Sequence, residues 1–174
     1  MMRVTIFILA LVSFEALALE FPADWRLPTE KELRSELQQN TSTPKQAVIE
    51  SDFNDDGLLD RAFLLKSVNY PGEGLVAYIS TAAGYEWQVL DRVEWGEEYA
   101  GAGLKMKIEL ATPGRYKTAC SLGYWECGPE ESDVLELKRA AIYQNRFDGA
   151  IAIWFWDEGT KQFKKIWLGT LADR

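Results

Sequence analysis

The sequence predicts a mainly β protein, an antiparallel meander with one N-terminal helix, with a mixed α+β layer as the alternative. Three observations carry this. From residue 45 onward the chain is a succession of short segments rich in β-branched and aromatic residues, punctuated by glycine, proline, asparagine and aspartate. The segment from Ala150 to Leu168 reads as a hairpin of alternating side chains. A helix start signal of the capping-box type is found near the N-terminus.

The chain opens with Met1, Met2 and Arg3 ahead of a short apolar run, and Ala16-Leu17-Ala18 comes a few residues later. One positive charge, an apolar stretch and a small-x-small triplet are the layout of a cleavable signal peptide over residues 1–18. The run falls short of the roughly 20 residues of a bilayer-spanning helix, so no membrane span is expected after cleavage near Ala18. A retained anchor is the competing reading, and Glu15 argues against it. Residues 19–174 then form a single domain.

Pro28-Thr29-Glu30-Lys31-Glu32 opens the helix, with Thr29 as cap and Glu32 completing the capping box. Leu33 and Leu37 share a face, and residues 40–44, ending in Pro44, stop it. Strands are expected over 45–50, 60–68, 73–80, 85–91, 104–110, 133–138, 149–156 and 162–168, about seven or eight in all. In the last hairpin Asp157-Glu158-Gly159-Thr160 is the turn. Ile151, Ile153 and Phe155 occupy one face of its first strand, and Ala152, Trp154 and Trp156 the other. Apolar residues on both faces imply a strand buried on two sides. Trp154 and Trp156 are therefore expected in the core, with ligand stacking as the alternative. Trp25, Trp87, Trp95, Trp125 and Trp167 are scattered and carry the same core expectation.

Arg3 and Glu15 leave together with the signal, so the formal charge stays at −8. An acidic chain is repelled by nucleic acid phosphates and anionic lipid, which removes both as partners and leaves cations and basic proteins. The chain has no histidine. Histidine-dependent serine triads and histidine-ligated zinc are excluded with it. Cys120 and Cys127, the two cysteines, stand close with Gly123 between them. In an exported chain the simplest outcome is a disulfide on a surface hairpin. A redox pair would more usually have two intervening residues, and a thiolate metal site would want further cysteine or histidine ligands.

The segment from Asp52 to Asp60 places oxygen-bearing side chains at loop positions one, three, five and nine, with glycine at six. That order wraps a hard cation. Asp52, Asn54, Asp56 and Asp60 are the expected side-chain ligands of calcium, Leu58 adds its backbone carbonyl, and Phe53 and Asp55 point away. Gly57 permits the left-handed turn. Position twelve of an EF-hand loop is Phe63 instead of glutamate, and the residues after the loop read as strand, so the motif is not an EF-hand. The loop resembles the calcium loops of FG-GAP and VCBS-type repeats, which join antiparallel strands. With one copy over about fifteen residues and no internal repeat, the resemblance extends to the loop and not to a propeller. A broader likeness runs through Asp52 to Leu65, Cys120 to Cys127, Ala141-Ile142, Trp154 to Asp157 and Phe163 to Trp167. These segments look like a group of uncharacterised small periplasmic proteins of Gram-negative bacteria. The likeness implies the compartment and a single domain, and no chemistry.

The functional expectation is an exported, periplasmic, calcium-stabilised and non-enzymatic binding protein with a basic periplasmic or secreted protein as partner, for example an inhibitor or immunity protein. The alternative is a hydrolase acting on glycan or cell wall through carboxylates among Glu94, Glu97, Glu98, Glu126, Glu130 and Glu131. Clusters of this kind are expected by chance in a chain with 27 acidic residues, and no activated nucleophile accompanies them.

Overall fold

The computed structural model describes residues 19–33, 47–129 and 131–170. The signal segment, the Leu37 face and end of the expected helix, the first residues of the 45–50 strand and Glu130 lie outside the described residues. Antiparallel strands dominate, as expected.

The first sheet is built from β1 (Trp25–Arg26), β2 (Val48–Ser51), β3 (Asp60–Ser67), β4 (Gly72–Thr81) and β5 (Gly84–Glu94). Strands β2 to β5 succeed one another as an antiparallel meander, and β1 pairs with the far end of β3, beyond β2. Among the described residues the helix α1 is the single turn Glu30–Leu33. Its capping box is present: Thr29 Oγ1 accepts the Glu32 amide, and Glu32 Oε2 accepts the Thr29 amide. Arg26 adds two hydrogen bonds of 2.8 Å to the Glu32 carboxylate.

The second sheet has the order β11 (Gln162–Thr170), β10 (Ala150–Asp157), β9 (Ala141–Arg146), β6 (Met106–Ala111). Between β6 and β9 the chain leaves to form a separate ribbon, β7 (Gly114–Lys117) with β8 (Val134–Leu137). Eleven strands among the described residues thus replace the seven or eight expected. Strands β1, β7 and β9 carry no strong alternation and are the additions.

The two sheets face each other. Ile49, Ala62, Leu64, Leu75, Ala77 and Ile79 of the first interleave with Met106, Ile108, Ile142, Trp154 and Phe163 of the second. Both outer faces are covered as well. The N-terminal segment lays Phe21 and Trp25 over Phe63, Leu65, Val76 and Tyr78. The ribbon lays Leu137 and Tyr116 over Ala141, Tyr143, Ile151 and Ile153. This second cover is the physical reason that β10 is apolar on both faces: Trp154 points between the sheets, and Ile151 and Ile153 point to the ribbon. Gly74 is required where Trp25 crosses β4, because a Cβ there would sit 2.9 Å from the indole ring.

Buried polar side chains between the sheets include Asp60, Lys66, Glu73 and Gln144. Each is hydrogen-bonded, as burial demands. Glu73 is fully buried, and its two oxygens accept the amides of Lys105 and Met106 at 2.7 and 2.8 Å. Lys66 Nζ stands 3.4 Å from Glu73 Oε1 and donates to the Ala102 carbonyl. The pair thus fastens the crossover by which the chain passes from the first sheet to the second. Burial nevertheless pushes the Glu73 carboxyl above its ordinary pKa. On the second sheet Gln144 donates to Asp91 and accepts from Trp154 Nε1.

Candidate functional site

The segment from Asp52 to Leu59 is the turn between β2 and β3, whose last and first residues, Ser51 and Asp60, pair directly. Phe53 anchors it from below. Its side chain is fully buried and meets the Phe163 ring edge to face at 5.8 Å. Above that anchor the polar residues turn outward. Asp52 accepts the amides of Asp56 at 3.2 Å and Gly57 at 2.8 Å. Asn54 Oδ1 also accepts the Asp56 amide, its Nδ2 donates to Asp56 Oδ2, and Asp56 Oδ1 accepts the Leu58 amide. Gly57 has φ 85°, and Asp55 has φ 63°, a left-handed conformation that aspartate tolerates better than most residues.

The structure therefore brings Asp52, Asn54 and Asp56 together in one cradle at the surface. Asp60 is placed differently. It is fully buried, and its oxygens accept the amides of Phe53 at 2.9 Å and Ser80 at 2.8 Å, so that it ties the turn to β4. Burial pushes its carboxyl above the ordinary pKa, and the charges of Asp56 and Asp52 push it the same way. Asp60 thus lies within the field of Asp56 and Asp52, and a cation nearby would relieve that repulsion. The donors are carboxylate and amide oxygens, hard ligands that suit calcium. Each Asp60 oxygen keeps a lone pair beyond the amide it accepts. Asp52, Asn54 and Asp56 thus offer oxygens at the surface, whereas Asp60 is tied down by backbone amides, and the carboxylates of Asp52, Asp56 and Asp60 do not all come within 4.8 Å of one another.

Around the turn, Arg139 reaches across from between β8 and β9. It donates to the Asn54 carbonyl at 2.7 Å and to the Glu158 carboxylate in the β10–β11 turn. The acidic turn and the last hairpin are thus joined by one guanidinium, a link that nothing in the spacing of the motif announces.

The Cys120–Cys127 disulfide is formed, with a Cα–Cα distance of 5.0 Å. It closes a loop that begins as a 3-10 turn and reverses at Gly123, where φ is 85°. The sulfurs and the Asp133 carboxylate lie within 4.8 Å of one another. A bonded disulfide offers no thiolate, so this group is no metal centre in the oxidised chain.

Trp154 lies in the core between the sheets, and the Trp156 ring packs against Phe163 at its edge. Lys165 covers Trp154 from one side and Trp167 from the other, with its ammonium 4.9 and 3.8 Å from the ring centroids. Burial lowers the Lys165 pKa, and Asp91 at 3.6 Å opposes that shift. Trp87 and Trp125 are the exposed exceptions to the core expectation for tryptophan.

The glutamates weighed for hydrolysis, Glu94, Glu97, Glu98, Glu126 and Glu131, are solvent-exposed, and Glu131 accepts from Trp125 Nε1 and the Gly128 amide. Among the described residues no helix is long and apolar enough to cross a membrane. No protein-family model, curated protein or solved structure matches the chain.

Proposed function

We propose that this chain is an exported, periplasmic binding protein without catalytic task, a β-sandwich braced by one calcium ion that presents an acidic surface to a basic protein. An inhibitor or immunity protein that masks a basic toxin or wall hydrolase is the kind of role this describes. The observation that carries the reading is the Asp52–Asp60 turn, where backbone amides hold Asp52, Asn54 and Asp56 in one cradle above Asp60. Asp52, Asn54, Asp56 and Asp60 would hold the ion, with the Leu58 carbonyl completing the set. The ion would neutralise the cluster and stiffen the turn that joins β2 to β3. The formal charge of −8 supports a cationic partner, because complementary fields speed encounter and suppress wrong partners.

The test is an affinity pull-down from periplasmic extract at physiological salt, run with calcium and with chelator. Reproducible capture of a basic protein, weakened by added salt, supports the reading. Purified protein that cleaves wall or glycan substrate while capturing no partner overturns it.

A further inference from the structure

We propose that the loop closing the β7–β8 ribbon is the contact surface for a basic protein, with Leu122, Tyr124 and Trp125 as the anchors that enter an apolar recess edged by lysine or arginine on that partner. The inference rests on the reading of the chain as a binding protein with a cationic partner, and names the surface that makes the contact.

Strands β7 and β8 end opposite each other at Lys117 and Val134, and residues 118–133 close the ribbon. Large apolar side chains in such a loop gain most by folding back against the core. Here they stand outward. Leu122, Tyr124 and Trp125 are 37, 46 and 42% exposed, and no other run of four described residues exposes three large apolar side chains. Single apolar residues on a surface are ordinary, whereas a cluster holding a tryptophan and a tyrosine has the composition of an interface hot spot.

The loop is fixed before any partner arrives. The Cys120–Cys127 disulfide closes it, the Gly123 amide donates to the Cys120 carbonyl, and the Tyr124 amide donates to the Ala119 carbonyl. Ala119 in turn donates its amide to the Trp167 carbonyl on β11. The polar ends of the two rings are engaged as well: Tyr124 Oη donates to Thr170 Oγ1 at 3.0 Å, and Trp125 Nε1 donates to Glu131 Oε2 at 3.0 Å. The ordering cost that a mobile loop incurs on association is thereby reduced.

The surroundings of the anchors are acidic. From Thr118 to Asp133 the chain carries four carboxylates, Glu126, Glu130, Glu131 and Asp133, and no lysine or arginine. The whole ribbon, residues 114–137, keeps the excess, with five carboxylates against Arg115 and Lys117. Lys165, which shares a small hollow with Trp125, is engaged by Asp91 at 3.6 Å and lies over the Trp167 ring. Aromatic anchors among negative charges are the complement of a cationic surface. Ring faces also attract guanidinium and ammonium groups. A second copy of this chain, at a formal charge of −8, is disfavoured by the same field.

The experiment introduces a photoreactive benzoylphenylalanine in place of Trp125 in the full chain, with the same replacement of exposed Trp87 on β5 as control, and irradiates each protein in periplasmic extract. The probe at Trp125 is expected to form an adduct with a protein of basic isoelectric point, suppressed by added salt, and the probe at Trp87 to form none. Against that protein, once purified, Trp125→Ala should weaken binding at least about thirtyfold, the effect of a hot-spot side chain. Glu126→Lys should slow association severalfold. Intact mass and a thermal melt check that both variants keep the disulfide and the fold, and Leu122→Ala replaces Trp125→Ala as the anchor variant if the latter melts lower. A basic partner that crosslinks only from Trp87, or that binds the unmodified chain and the variants equally, overturns this surface and leaves the binding-protein reading standing. An adduct with an acidic protein or with a second copy of the chain overturns it too. Capture of no basic protein by either probe or by affinity overturns both the surface and the reading it rests on.

Discussion

Replacing Glu73 by alanine removes the acceptor of two backbone amides and the counter-charge of a buried ammonium in one step. Glu73 is fully buried, and Lys66 is almost so. Hydrogen bonds to a charged acceptor are worth about 1.5–3 kcal/mol each, and breaking a buried ion pair by deleting one partner costs about 3–5 kcal/mol. These figures overlap, because the stranded Lys66, Lys105 and Met106 groups recover part of their solvation from water entering the vacated space. A loss of about 4 kcal/mol is expected. At roughly 2–4 °C per kcal/mol for a domain of this size, the melting temperature should fall by about 8–16 °C. The assay is thermal and urea unfolding of Glu73→Ala beside Glu94→Ala, an exposed control on the neighbouring strand whose effect should stay within about 0.5 kcal/mol. A double-mutant cycle with Lys66→Met separates the pair from the amide contacts, since the double variant no longer strands a buried ammonium. A loss below about 1 kcal/mol for Glu73→Ala, or a strictly additive cycle, would refute the reasoning that this pair fastens the crossover.

Further outcomes rest on other parts of the fold. Reducing the disulfide, or replacing Cys120 and Cys127 by serine, reopens a loop of sequence separation 7, and chain entropy puts the loss at about 2.5 kcal/mol by urea unfolding; intact mass should rise by about two daltons on reduction as two thiols form. The Arg26 and Thr29 contacts hold the Glu32 carboxyl down to about 2, so it contributes stability that is complete above its unfolded pKa of about 4.5 and is lost as pH falls toward 2. Glu32→Gln should flatten that part of the stability–pH profile, and an unchanged profile would contradict the assignment. Gly74→Ala drives a methyl group into the Trp25 ring, so it should destabilise by about 1–3 kcal/mol and raise the solvent exposure of Trp25 fluorescence.

What the sequence made legible was what local pattern encodes. The β10–β11 hairpin reads directly from alternation, and burial of β10 on two sides is implied by having Ile151 and Trp154 on opposite faces. The capping box of Thr29 and Glu32 and the disulfide were readable from spacing for the same reason. Strand β9 escaped because Gln144, which breaks its apolar pattern, is buried for the sake of Asp91 and Trp154, 53 and 10 residues away. Strand β7, Gly-Arg-Tyr-Lys, offers one apolar side chain and depends on the ribbon for its existence. The acidic turn was visible as an order of ligands, yet the inward placement of Asp60 is decided by the Ser80 amide on β4, which the motif does not contain. Glu73 is a charge at an inward position of an apolar strand, but the partners that hold it there, Lys105 and Met106, stand 32 and 33 residues on.

The central claim is that the turn holds calcium and that the ion braces the fold, and its most direct test is calcium titration of the purified mature chain, then melting with and without chelator. Calcium at about 100 times its dissociation constant should stabilise the fold by roughly 2.7 kcal/mol. Asp56→Ala should remove most of that increment, and Asp55→Ala, whose exposed side chain stands outside the cradle, should preserve it. Magnesium should substitute poorly, because it demands a tighter octahedral shell and gives up its waters reluctantly. A titration with no calcium binding, together with a melting temperature that chelator leaves unchanged, would contradict the claim and reduce Asp52 to Asp60 to a turn held by its own amides.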